Sequence, residues 1–98
     1  MFKNERYLTA GIALTLPPWL VFMLWDTIDE KKTTVDYLQV FSVSYEEKDG
    51  ISHMTIVHSQ ENPEYSQTYT AVTQDKITAK IFVIDDGDHS TMLLAEEY

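Results

Sequence analysis

Between Tyr7 and Trp25 the chain reads YLTAGIALTLPPWLVFMLW, 19 residues without a charge, behind a start that carries Lys3, Glu5 and Arg6. A helix that crosses a bilayer needs about 20 apolar residues, so length alone permits a span. The composition argues against it. Thr9, Gly11, Thr15 and the Pro17-Pro18 pair interrupt the run, and two mid-span prolines would strip backbone donors where no water can replace them. A secretion signal fails as well, because Glu5 sits in the start and bulky Phe22-Met23-Leu24-Trp25 follows where small residues belong. Splitting the run at the prolines gives a better fit. Tyr7–Thr15 is rich in strand formers, and Pro17-Pro18 suit the first turn of a helix, where the donors they lack are unpaired anyway.

The helix is expected from Pro17 to Lys31 or Lys32, its two lysines in the last turn against the negative end of the dipole. At 100° per residue Leu20, Val21, Leu24, Trp25 and Ile28 form a core stripe. Asp26, Thr27 and Glu30 take the other side, yet Trp19, Phe22 and Met23 intrude on it, so the first two turns are apolar nearly all round. Contiguous apolar surface of this kind is covered either by the chain's own loops or carboxyl-terminal tail or by a partner, and these three residues are expected to meet a second copy or another protein.

After the helix the pattern changes to period two. Tyr37–Tyr45 and Ile51–Ser59 flank Asp49-Gly50, a strong type I′ hairpin signal that pairs Tyr45 with Met54, Val43 with Ile56 and Phe41 with His58 on the core face. Pro63 opens an edge-like strand, Tyr65–Val72. A second hairpin joins Ile77–Asp85 to Ser90–Glu96; an Asp86-Gly87 loop would set Ile81 opposite Met92 and Ala79 opposite Leu94. That register forces Asp85 to face Asp88, a repulsion that a bound cation or a four-residue loop would relieve. Both faces of Ile77–Asp85 are apolar, as in an interior strand covered on two sides. Thr91–Glu97 also contains good helix formers. The expected architecture is a single α+β domain over residues 1–98, one main helix on a largely antiparallel sheet of five to six strands.

Composition narrows the chemistry. Ninety-eight residues can bury about two-thirds of their unfolded surface, enough for one modest core. Without cysteine the chain has no disulfide, thiolate metal site or thiol nucleophile, in keeping with a reducing compartment, and the cytoplasm is the expected location. Sixteen Asp and Glu against seven Lys and Arg give a net charge of −9, which opposes direct binding to nucleic acid. Eight of the acids and two of the lysines lie beyond Gly50, so a basic partner could be drawn to that half.

The phrases YLTAGI, LPPWLVFMLWDTID, DYLQVF, HSQENPEY and IDDGDHSTMLLAEEY together resemble the bacterial family known as domain of unknown function 960, from low-GC Gram-positive bacteria. The resemblance covers nearly the whole chain. It implies a soluble cytoplasmic protein and carries no activity, cofactor or catalytic residue.

Candidate chemistry comes from the residues alone. Asp85, Asp86, Asp88 and His89 offer oxygen and nitrogen ligands to a divalent cation, but Ser90 and Thr91 fall where a calcium loop needs an acid or amide and then glycine. Asp and Gly are equally what a tight turn requires. His58-Ser59 and His89-Ser90 are adjacent on strands and point to opposite faces, so neither forms a base–nucleophile pair. No catalytic residue and no cofactor is assigned. Gln60–Tyr65 is a loop whose Glu61, Glu64 and Tyr65 form a second candidate contact surface, or else a solvated connector whose tyrosine packs back on the sheet. Three functions follow in order: an acidic adaptor that binds an unidentified protein or itself; a nucleic-acid mimic, which needs acids about 7 Å apart along one ridge; and a metal-assisted hydrolase.

Overall fold

The computed structural model describes residues 1–98. Strand β1 (Glu5–Leu8) is followed by helices α1 (Ala10–Thr15) and α2 (Pro18–Asp29), then β2 (Leu38–Lys48), β3 (Ile51–Gln60), β4 (Tyr65–Val72), β5 (Ala79–Asp85), β6 (His89–Leu94) and a 3₁₀ turn at Ala95–Glu97. The six strands form one sheet in the order β1-β6-β5-β2-β3-β4. All pairs are antiparallel except β1 with β6, which run parallel. This is an α+β domain with one main helix.

The first hairpin follows from its turn. Asp49 and Gly50 adopt φ of 56° and 77°, the two positive values that a type I′ turn demands, and the register sets Tyr45 opposite Met54, Val43 opposite Ile56 and Phe41 opposite His58. The second hairpin departs from the two-residue expectation. Asp85 pairs with Ser90 and Ile81 with Leu94, so the loop holds four residues and the register slips by two. Asp85 does not face Asp88. Its carboxylate instead accepts from the Phe2 N–H (2.7 Å), Asn4 Nδ2 (3.0 Å) and the Gly87 N–H (2.8 Å), contacts that a tighter loop could not supply.

Tyr7–Thr15 is not one strand. Pairing stops at Leu8, and Thr9 begins α1 with its hydroxyl accepting from the Ile12 N–H at 3.3 Å. Helical period then turns Ile12 and Leu16 into the core, which a strand could not do with the same spacing. Helix α2 ends at Asp29, not at Lys31 or Lys32, with Glu30 as its cap. The last strand stops at Leu94 rather than Glu96. Strand β5 starts at Ala79 rather than Ile77.

The core lies between the helices and one face of the sheet. Leu20, Leu24 and Ile28 from α2 join Ile12 and the inward residues Phe41, Val43, Met54, Ile56, Ile81, Val83 and Met92. Phe2 is fully buried among them. No helix is long and apolar enough to cross a membrane.

Candidate functional site

The apolar start of α2 resolves into three different environments. The Trp19 indole N–H donates to Asp75 Oδ2 at 2.8 Å, which ties the ring to the β4–β5 connection. Met23 is half-buried and packs against the core. Phe22 alone points clear of the fold, 68% exposed. The expected patch of three is therefore one free aromatic flanked by two residues that the chain itself engages.

Phe22 stands at the rim of a groove. Leu8, Ala13, Leu16, Pro18, Val21 and Trp25 line the rest of a cleft of about 300 Å³ between α1, α2 and the end of β1. Strand β1 is an edge of the sheet, and all four of its residues are exposed. Its outer N–H and C=O groups are free of sheet partners, and Leu8 connects that edge to the cleft. Arg6 marks the other end of the strand. Its guanidinium lies 4.6 Å over the Trp25 ring and pairs with Asp29 at 2.5 Å.

At the opposite end of α2 sits a buried polar cluster that the hydropathy pattern did not single out. Gln39, His58 and Gln60 occupy inward positions of β2 and β3 and are fully or nearly buried. His58 Nε2 lies 2.6 Å from Gln39 Oε1. Gln39 Nε2 donates to Gln60 Oε1 (2.9 Å) and the Asp36 carbonyl (2.8 Å), while Gln60 Nε2 donates to the Thr34 and Pro63 carbonyls at 3.0 and 2.8 Å. Donation thus runs one way, which assigns the proton of a neutral His58 to Nε2 and leaves Nδ1 without a partner. Burial, reinforced by the positive charge of Lys31, lowers the His58 pKa to about 4. The imidazole stacks on Phe41 (4.4 Å, 13°) and meets the edge of Tyr65 at 5.5 Å. Polar residues at inward positions of both hairpin strands were the available signal for this cluster.

The second predicted contact surface separates in the same way. Tyr65 closes over His58 and lies under the Lys31 ammonium at 4.2 Å, whereas Glu61 and Glu64 are solvated in the β3–β4 loop. Phe22 and Tyr65 serve opposite halves of a 12-residue helix about 18 Å long, so the two candidate surfaces do not merge.

The acidic turn is a structural device. Asp86 Oδ1 accepts from the Asp88 and His89 N–H groups, both at 3.0 Å, and Oδ2 pairs with His89 Nε2 at 3.2 Å. These bonds, with the donors around Asp85, hold both carboxyls below the usual Asp range. No group of three or more His, Asp or Glu side chains is placed to hold a metal ion. Ser90 is buried and donates to Asn4 Oδ1 at 2.5 Å, away from His89 on the other face of β6.

Similarity to other proteins places the chain. Residues 5–97 match the family model described as Staphylococcal protein of unknown function (DUF960). The chain belongs to the DUF960 family. A solved structure from Enterococcus faecalis, a protein of unknown function, is 26% identical and superposes with a TM-score of 0.73 over 97% of this chain and 91% of the other. No curated protein matches. The fold is therefore shared with a protein of divergent sequence.

Proposed function

We propose that this DUF960 chain is a small, acidic, non-catalytic cytoplasmic protein that acts by binding another protein, and that the α1–α2 groove receives an extended segment of that partner. The observation that carries the reading is the placement of Phe22 beside an apolar cleft that opens onto the free edge of β1. An added strand would satisfy the outer backbone groups of β1, and its alternate side chains would reach the cleft near Leu8 and Phe22. Glu5, Asp26 and the net charge of −9 favour a segment with apolar residues flanked by Lys or Arg. Ser90, the buried serine beside a histidine in sequence, is engaged by Asn4 instead, which supports a role other than nucleophilic hydrolysis.

Capture from native lysate at low and high salt, with the wild type and Phe22→Glu compared side by side, tests the reading. A protein retained at high salt by the wild type and lost from Phe22→Glu supports it, provided the variant melts like the parent. Equal retention by both removes the groove from the function. Retention that disappears with salt and is competed by DNA would instead favour mimicry of nucleic acid.

A further inference from the structure

The sheet has a second face, and its composition is divided. The outward residues of β3 and β4 are mostly hydroxyls, with Thr55, Ser59, Ser66, Thr68 and Thr70 as expected of a solvated antiparallel face. Across β2, β5 and β6 the outward positions include a contiguous apolar group, Leu38, Val40, Phe82, Ile84 and Leu93, all half-buried, with Ser42, Lys80 and Thr91 around it. The register sets them side by side: Val40 with Phe82, Phe82 with Leu93, and Leu38 with Ile84. Both helices cover the opposite face, and only Tyr98, edge-on to Phe82 at 5.7 Å, leans over this one. Strand β5 carries the two-sided apolar pattern of a strand buried on both faces, and the chain covers one of them.

We infer that this face is the interface of a homodimer, two sheets packed face to face and centred on the β2–β5–β6 half. Charge selects a second copy over a basic partner. The centre of the patch holds no acid, and on β2 the outward alternation reaches one only at Glu46, beyond Ser42 and Ser44. Lys80, 5.8 Å over the Phe82 ring, stands at one end of the strands, while Glu5 and Asp86 stand at the other. A two-fold axis across the strands reverses their direction and lays β5 over β5, so Lys80 meets the partner's Asp86, and the contact is made twice. The half-sheet is small. Three strands about 4.8 Å apart, averaging eight residues at about 3.3 Å each, present on the order of 400 Å² per copy, about half of the roughly 800 Å² per partner in a standard interface, so the dimer is a weak one. An apolar centre rimmed by Thr, Tyr7 and Tyr98 has the composition of such an interface. The surface is distinct from the α1–α2 groove, which it leaves open.

Sedimentation equilibrium of the full chain from micromolar to millimolar concentration tests the inference. The expected mass is twice the 11.4 kDa of one chain. The triple variant Val40→Thr, Ile84→Thr, Leu93→Thr keeps side chains suited to strands and should raise the dimer dissociation constant at least about a hundredfold; Lys80→Glu should weaken it in a salt-dependent way. A wild type that stays monomeric throughout overturns the inference. So does a dimer that survives the triple variant but is lost in Phe22→Glu, because the helix side would then be the interface. Should the triple variant fail to fold, methyl NMR of the wild type on dilution decides: concentration-dependent shifts of Val40, Ile84 and Leu93 support the interface, and shifts confined to Leu8, Leu16 and Val21 of the α1–α2 groove overturn it.

Discussion

Gly11 and the Glu97 carboxylate, from opposite ends of the chain, occupy adjoining space: a Cβ at position 11 would lie 2.6 Å from Glu97 Oε1 and Oε2. The close approach lets Glu97 accept from Thr9 Oγ1 (2.7 Å) and the Leu94 N–H (2.8 Å), and these bonds hold its carboxyl below the usual Glu range. The tail is thereby fastened to the first turn of α1. Alanine in a helix ordinarily gains about 0.5–1 kcal/mol over glycine. Gly11→Ala should instead be destabilising, because displacing the Glu97 carboxylate forfeits its hydrogen bonds to Thr9 and Leu94. In a Glu97→Ala background the same change should become stabilising. Urea unfolding of the four proteins checks the reversal of sign, and a Gly11→Ala effect independent of residue 97 contradicts it.

His58 sets an acid limit on stability. Its folded pKa of about 4 lies below the ordinary value of 6.5, so the unfolded chain takes up a proton first as pH falls. Stability from this residue is complete above pH 6.5 and declines between 6.5 and 4, by on the order of 2–3 kcal/mol. The lowered carboxyls of Asp85, Asp86 and Glu97 act in the same direction but further down, as pH drops through and below the carboxylate range. Unfolding free energies measured between pH 7.5 and 4.5 should therefore fall before the carboxylates titrate. His58→Phe should flatten that slope while costing about 1–3 kcal/mol at pH 7, since Gln39 Oε1 loses its donor.

What could be read in advance depended on range. The Asp49-Gly50 hairpin was legible because two residues with positive φ admit one register, and period two then sorted Phe41 and Val43 inward. The second hairpin was legible as a strand pair, but its four-residue loop only as the alternative that relieves Asp85 against Asp88, because that loop is held by Phe2 and Asn4, whose contacts with Asp85 span nearly the whole chain. Thr9 is a helix cap only with Ile12 and Leu16 facing inward; in isolation the same residues favour a strand. Of the site, the helical wheel singled out Trp19, Phe22 and Met23, yet nothing local showed that Asp75 would reach Trp19 or that Met23 would be packed against the core. The Gln39–His58–Gln60 cluster was within reach of the pattern, as polar residues on an apolar face.

The Asp49-Gly50 turn offers a measurement free of packing. A Cβ on Gly50 would meet nothing within 4 Å, so Gly50→Ala changes only the backbone cost of φ near +77°. The expected loss is about 1–2 kcal/mol, with native spectra outside the hairpin. Asp49→Asn should be nearly neutral, since Asn also tolerates φ of 56°. A loss above about 3 kcal/mol for Gly50→Ala would mean that the turn is packed against something.

Residues 22 and 24 of α2 are two positions apart and face opposite environments. Leu24 is fully buried among core residues, whereas Phe22 is 68% exposed beside the α1–α2 groove. Truncation of Leu24 removes contacts on every side, and Leu24→Ala should cost about 2–5 kcal/mol. Phe22→Glu exchanges apolar surface already in water for a charge, with Glu at least as good a helix former, and should change stability by less than about 0.5 kcal/mol. Acidic neighbours set the one opposing term, since Asp26 lies one helical turn on. A carboxylate at position 22 costs a few tenths of a kcal/mol beside Asp26 at low salt, and Phe22→Gln, which adds no charge, separates that repulsion from any loss of packing. Thermal melts of the three variants in dilute solution provide the comparison. A large loss in both Phe22→Glu and Phe22→Gln would show that the aromatic ring is structural, and the groove would then be an extension of the core instead of a surface kept for a partner.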